Sequence, residues 1–318
     1  MNDNPTKNIY KKSTLNRALR HCSGVDSETR RQILASLPLS GQNDVCDIYV
    51  ILPDVPHFFW ENALLGTEPE TSPLRIKYNV YTALCDEDIV LLYLEEAVRM
   101  KAKALILTAA ISPAIRKKLE SMQPACAVFL LSEYADLTNA FYFGSDAYRE
   151  GCDMGEHFCR QFSDRIPLAL DVVGHFNIGQ RIRGFRDTLT KNGLNPGKQY
   201  PLSMKDAGKS NLLPSKVASL LADNLLDNTS YCLYIPFGTM QINRILQKLK
   251  GSERIICLCH DCAVKENGTL DEGIAASLNQ DLFAQSSSAI RAAERYVTTG
   301  SFPDRKYTYI PSIFYSIG

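Results

Sequence analysis

Hydrophobic and polar positions fall into alternating blocks along most of the 318-residue chain. Nine short runs are rich in branched and aromatic residues: "CDIYVILP", "IKYNVYTA", "KALILTA", "CAVFLLS", "FYFGSD", "PLALDVVG", "YCLYIPF", "RIICLCHD" and "GIAASLNQD". Most are apolar at nearly every position, which predicts strands buried on both faces. Between most of them lie stretches with helical spacing of apolar residues, such as "DEDIVLLYLEEAVRM" and "GQRIRGFRDTLTKNG". Strands alternating with helices of this length predict parallel sheets with both faces covered, and about ten strands over this length imply two sheets. Residues 1–37 differ. They read as a helical head, joined to the body by the polar link "PLSGQND".

Composition and charge refine this picture. Hydrophobic residues make up 45%, which fits a folded chain rather than a disordered one. Lys plus Arg is 35 and Asp plus Glu is 35, so the net charge is zero. That argues against a protein coated throughout for nucleic acid, although the start of the head is locally positive: within residues 1–20, Lys7, Lys11, Lys12, Arg17 and Arg20 stand against Asp3 alone. No apolar run is long enough to span a membrane, and the N-terminus lacks the apolar core of a secretion signal. Both point to a cytoplasmic protein with no membrane partner. The ten cysteines lie mostly within apolar runs and read as reduced, buried residues.

In open parallel sheets ligands sit beyond the carboxyl ends of the strands, so the polar residues there are the candidates. "LPDVPHFFW" places Asp54 and then Phe58, Phe59 and Trp60 after the first strand. An aromatic wall beside polar groups suits a sugar ring, but the same aromatics can open a helix and pack inward. Asp146, after "FYFGS", can accept two hydroxyl hydrogen bonds or cap the next helix. Arg181 and Arg183 stand near the start of a helix, where the dipole slightly disfavours cations. Donation to ligand oxygens explains such an arginine; solvent exposure is the plainer reading of Arg183. "IICLCHDC" gathers Cys257, Cys259, His260, Asp261 and Cys262. Zinc binding and a Cys–His–Asp nucleophile are both conceivable. The first lacks a second ligand pair elsewhere. The second requires neighbouring side chains that point apart on a strand. The remaining reading is a buried strand presenting Asp261, with Gln280 at the end of the next strand. No acid–base pair at recognisable spacing, phosphate-binding glycine loop or nucleophile elbow is present, so the chain reads as a binding protein without a cofactor, not an enzyme.

Several of these pieces, in this order, resemble the lactose-repressor (LacI/GalR) type of regulator, whose body is similar to periplasmic sugar-binding proteins. They are "YVILPDVPHFFWENALLG", "AVFLLSEYADLTNAFYFGSDAYREGCDMGEHF", "GQRIRGFRDTL" with its Arg-x-x-Gly-Phe pattern, and "CHDCAVKENGTLDEGIAASLNQDLFAQ". The resemblance covers residues 13–34 and 46–318. It implies a two-lobed periplasmic-binding-protein-like α/β fold: two doubly wound parallel sheets joined by three crossovers, preceded by a small, divergent N-terminal helix-turn-helix. Lobe one is placed at about 46–144 and 282–302, lobe two at about 145–281 and 303–318. The implied effector contacts, with the guest between the lobes, are Phe58 and Phe59 as a stacking pair with Asp146, Arg181, Asp261 and Gln280. After "YIPF", where the family often has Asn-Asp or a Gly-rich variant, this chain has "PFGTM", so Phe237 stands where a polar contact is usual.

The head "STLNRALRHCSGVDSETRRQIL" resembles the family's recognition and third helices. Leu15, Ala18 and Leu19 form its inward stripe. Lys12, Ser13 and Arg17 match base-reading positions, and Thr14 and Asn16 match backbone-contacting ones. Two departures stand out: "MNDNPTKNIYKK" occupies the place of the family's first helix, and only "PLSGQNDVC" stands where the family has a hinge helix. The resemblance thus implies a DNA-binding transcriptional regulator, a homodimer on operator DNA, controlled by a sugar-like effector. The alternative is a cytoplasmic ligand sensor that has lost DNA binding.

Overall fold

A computed structural model describes residues 46–317, apart from 54–57, 68–72, 82–86, 204–212, 223–228, 239–241, 249–253, 263 and 266–268. The head, with Lys12, Ser13, Thr14, Asn16 and Arg17, lies outside the described residues, as does Asp54. In chain order the elements are β1 (Ile48–Pro53), α1 (Phe58–Thr67), β2 (Ile76–Tyr81), α2 (Glu87–Arg99), β3 (Ala104–Leu107), α3 (Pro113–Met122), β4 (Ala127–Leu131), β5 (Ala140–Gly144), α4 (Ala147–Gln161), β6 (Ile166–Val172), α5 (Phe176–Lys191), β7 (Lys198–Leu202), α6 (Leu213–Ala222), β8 (Tyr231–Gly238), α7 (Ile242–Lys248), β9 (Ile255–His260), β10 (Ile274–Asn279), α8 (Leu282–Thr299), β11 (Tyr307–Tyr309) and β12 (Ile313–Ser316). They form two compact units. Among the described residues the first holds 46–143 and Leu282–Thr308, the second Gly144–Asp281 and 309–317.

The first unit's sheet runs β2-β1-β3-β4-β5 with β11 at its edge. Every residue of β1 is buried, and the strand's period of two sorts its side chains onto opposite faces. Ile48, Val50 and Leu52 join Ala63 of α1 and Leu282, Ala289 and Ile290 of α8. Tyr49 and Ile51 join Ile89, Tyr93 and Leu94 of α2 and Ile115 and Leu119 of α3. A continuous apolar run is what a strand covered by helices on both sides requires.

The second unit repeats the plan: β7-β6-β8-β9-β10, with β12 at the edge. Neighbouring pairs from β7 to β10 are parallel, and β12 pairs antiparallel with β10. Both sheets therefore have the doubly wound order 2-1-3-4-5, whose switch point lies between the first and third strands. In this unit those are β6 and β8. The core includes Phe158, Phe185 and Tyr234, with the Phe185 and Tyr234 rings stacked 4.5 Å apart. Each such ring contributes roughly 1.5–3 kcal/mol by leaving water.

Candidate functional site

In the second unit, Arg181, Asp261, Gln280 and Asp146 all lie at or just beyond the carboxyl ends of strands or on the helices that follow them. What brings them together begins with three glycines. Helices α4 and α5 approach so closely that a Cβ added at Gly151 would lie 2.0 Å from the Arg181 carbonyl oxygen, and one at Gly184 only 2.1 Å from that of Tyr148. Gly155 faces Thr188 in the same crossing. Only backbones without a Cβ allow this approach. It carries Glu150 of α4 to Arg181 of α5.

Arg181 is the sixth residue of α5, in the second turn rather than at the open end. The dipole argument based on the helix start therefore does not apply, and the sequence reading is corrected here. Its position is explained by its partners. Nε donates to Glu150 Oε2 at 2.7 Å, and Nη1 donates to the Pro236 carbonyl oxygen at 3.0 Å. Both side chains of the ion pair are almost wholly buried, 5% and 6% exposed. Burial alone would lower the Arg181 pKa, but Glu150 and Asp261 outweigh it and raise it. Ser312 Oγ donates to the other Glu150 oxygen. Pro236 can serve because the β8–β9 register shifts between Ile235 and Gly238, which takes its carbonyl out of the regular ladder. Arg183, by contrast, is exposed, pairs with Asp187 and lies over the Tyr148 ring, as its plainer reading expects.

Asp261 follows β9 in a left-handed conformation, φ 48°, which a short polar side chain tolerates better than most. Gly238 makes room for it, since a Cβ there would lie 3.0 Å from the Asp261 Cβ. The carboxylate is buried, and both oxygens accept from Gln280: Oδ1 from the backbone N–H and Oδ2 from Nε2, each at 2.8 Å. Burial pushes its pKa up to about 6, against the lowering effect of Arg181 and of the Gln280 donors. Gln280 Oε1 in turn accepts from Ser145 Oγ at 3.2 Å. The amide of Gln280 thus orients Asp261, a positioning role.

Asp146 is the N-cap of α4, its Oδ1 accepting from the Arg149 N–H at 3.0 Å. The capping reading holds, and the second oxygen stays available at the partly exposed end of β5. Phe58 opens α1 and Phe59 follows it, in the first unit. Their side chains are not among those described, so their stacking role is neither placed nor displaced.

The Cys–His–Asp run folds as a buried strand. Cys257 and Cys259 sit in the core, and burial pushes the Cys257 thiol up to about 12. His260 points elsewhere: its Nε2 meets the Tyr234 hydroxyl at 2.9 Å. Burial, helped by Arg181, holds its pKa well below the ordinary value, so the 3.9 Å approach of Nδ1 to Glu150 is not an ion pair. Among the described residues no cysteine thiol is hydrogen-bonded to the imidazole, as a Cys–His nucleophile requires. Among the described residues no group of three or more His, Cys, Asp or Glu side chains could hold a metal ion.

Sequence reasoning missed Glu150, Tyr234, Ser312 and the Pro236 carbonyl. Only Glu150 left a signal, an acidic residue in the first turn, four positions after a helix cap. Its partner is 31 residues away, beyond any local rule.

No protein-family model matches the chain, and no curated protein matches it in sequence. Solved structures do. A glucose-galactose binding protein, GanP from Geobacillus stearothermophilus, is similar with a TM-score of 0.69 at 12% identity, over 85% of this chain and 97% of that one. A sugar transporter from Clostridium phytofermentans gives 0.70 at 12%, over 86% and 100%. A LacI family transcriptional regulator from Silicibacter pomeroyi gives 0.65 at 15%, over 96% and 94%. At such identities the likeness is one of fold. The chain has the periplasmic-binding-protein-like fold, with two α/β units, shared by sugar-binding proteins and by a regulator.

Proposed function

We propose that this chain is a transcriptional regulator whose DNA affinity answers to a small polyhydroxylated effector held at the strand ends of the second unit. The observation that carries the effector half is that Arg181 of α5, held by Glu150 and the Pro236 carbonyl of β8, lies in the field of Asp261 at the end of β9, which Gln280 orients. A buried carboxylate accepts sugar hydroxyls through charge-assisted bonds, and a guanidinium donates to their oxygens. The second oxygen of Asp146 and the second terminal nitrogen of Arg181 supply further contacts. Phe58 and Phe59 are assigned the stacking role that the LacI/GalR resemblance implies.

The regulator half rests on the head, with Lys12, Ser13 and Arg17 facing bases and Thr14 and Asn16 facing phosphates. A LacI family transcriptional regulator stands among the structural neighbours beside the sugar-binding proteins, which supports this half. Dimerisation on two operator half-sites follows the same reading. Leu64, Leu65 and Phe283 are exposed on α1 and α8, which pack together through Gly66, and suit a surface between two copies.

The test has two arms. Thermal unfolding is followed with neutral sugars and polyols, because a ligand that binds only the folded state raises the melting temperature. At least one should do so for the native chain and not for Asp261→Ala. Separately, a fragment from upstream of the gene should be retarded in a salt-dependent manner, and Arg17→Ala should abolish this. Retention of every sugar response by Asp261→Ala refutes the site. A sugar response without any DNA binding leaves the alternative, a ligand sensor alone.

A further inference from the structure

We infer that the effector is an uncharged or cationic polyol, a free sugar, sugar alcohol or amino sugar, and that phosphorylated and carboxylated sugars are rejected; this rests on the site proposed above. An arginine at a sugar site ordinarily invites an anion. Here its charge is already met. Arg181 is clamped by buried Glu150 at 2.7 Å, and Asp261, buried and in its field, adds a second carboxylate. Asp146 adds a third at the end of β5. The formal sum over Arg181, Glu150, Asp261 and Asp146 is one positive against three negative, or minus two.

The basic groups seen beside these carboxylates add little positive charge. His260 lies 3.9 Å from Glu150, and burial keeps it neutral. Two cations on the framing helices are paired on their own helix, Arg149 with Asp153 and Arg183 with Asp187, and Arg186 donates to the Gly197 carbonyl oxygen. The N-terminus of α4, a natural anion seat, is filled by the Asp146 carboxylate itself. An incoming phosphate therefore meets an excess of negative charge among buried groups, while hydroxyl groups meet acceptors. An ammonium group gains from the same field.

The probes are glucose, galactose and ribose, each with its terminal phosphate, plus glucosamine and gluconate, titrated calorimetrically at pH 7.5 into the full chain. The free sugar or amino sugar should bind at least tenfold more tightly than the matching phosphate or acid. Asp146→Asn keeps the helix cap, since Asn caps as well as Asp, and removes one charge. It should narrow the gap between sugar and phosphate several-fold. Equal or tighter binding of a phosphate or acid by the native chain overturns the inference while leaving the site standing. An unchanged gap in Asp146→Asn removes the electrostatic explanation. If no member of either set binds, both the inference and the site beneath it fall.

Discussion

Replacing Asp261 with Asn should stabilise the unliganded protein at neutral pH while abolishing effector binding. The carboxyl group is almost wholly buried, and burial lifts its pKa from 3.8 to about 6. Below 3.8 it is protonated in both the folded and the unfolded chain and has no effect. Between 3.8 and 6 the unfolded chain ionises first, so rising pH favours unfolding, and above 6 the loss is complete. A shift of about two units corresponds to about 3 kcal/mol. Asn stands in for the neutral form. Its oxygen can accept from the Gln280 N–H, and a turned Gln280 amide restores the second bond, so about 1 kcal/mol is lost to imperfect geometry. The net gain at pH 8 is about 2 kcal/mol, or roughly 4–8 °C for a unit of this size. The assay is thermal or urea unfolding of both proteins from pH 4.5 to 8, read as their difference, which cancels the other titrating groups. The advantage of Asn should grow through pH 4–6 and level off above it. A flat difference, or a wild-type advantage at pH 8, would refute the claim that this carboxylate is held at a cost to the fold.

Other substitutions probe the frame around it. Gly184→Ala places a methyl group 2.1 Å from the Tyr148 carbonyl oxygen, so α4 and α5 must separate; urea unfolding should show a loss of about 3 kcal/mol or more. Tyr234→Phe removes the Nε2 partner of buried His260 and should cost about 1–3 kcal/mol by the same method. Because His260 is held neutral in the folded state and protonates in the unfolded one, native stability should also fall as pH drops below about 6.5. His260→Phe should weaken that fall, and a variant that keeps its full slope would remove His260 as the cause. Arg181→Met alone should lose about 3–5 kcal/mol because it strands Glu150, whereas Arg181→Met with Glu150→Leu should recover most of this in denaturant melts.

Much of the fold was legible because it is written in local periodicity. The nine apolar runs all became strands, and runs such as β1 and β3, apolar throughout, could only be covered on both faces. What escaped were the strands that lack that signature. β7 carries Pro201 and is exposed at three of five positions, and β11 and β12 are short, largely exposed and at sheet edges. An edge strand needs apolar residues on few positions and tolerates proline, so its pattern merges with that of a loop.

The candidate site was legible to a different depth. The rule that ligands lie beyond strand ends selects Asp146, Asp261 and Gln280 from position alone, and the structure joins Asp261 to Gln280 and sets it in the field of Arg181. The rule cannot assign their states, because these come from partners distant in sequence: Glu150 and Arg181 are 31 residues apart, Asp261 and Gln280 are 19 apart, and Glu150 and Ser312 are 162 apart. A lone arginine in the sequence looks like a free cation, yet in the fold it is half of a buried pair. On the proposed reading, that inversion shifts the site's preference from anions to neutral hydroxyls. The glycines are the hidden cause. The Arg-x-x-Gly-Phe run reads as a family signature, but its Gly184 acts by letting α5 descend onto α4, and its Phe185 by stacking on Tyr234, whose hydroxyl holds His260. If this is correct, Gly184→Ala should raise the relative affinity for sugar phosphates in whatever fraction still folds, because it pulls Glu150 away from Arg181. Should the folded fraction discriminate as before, the charge preference would have to come from groups other than this pair.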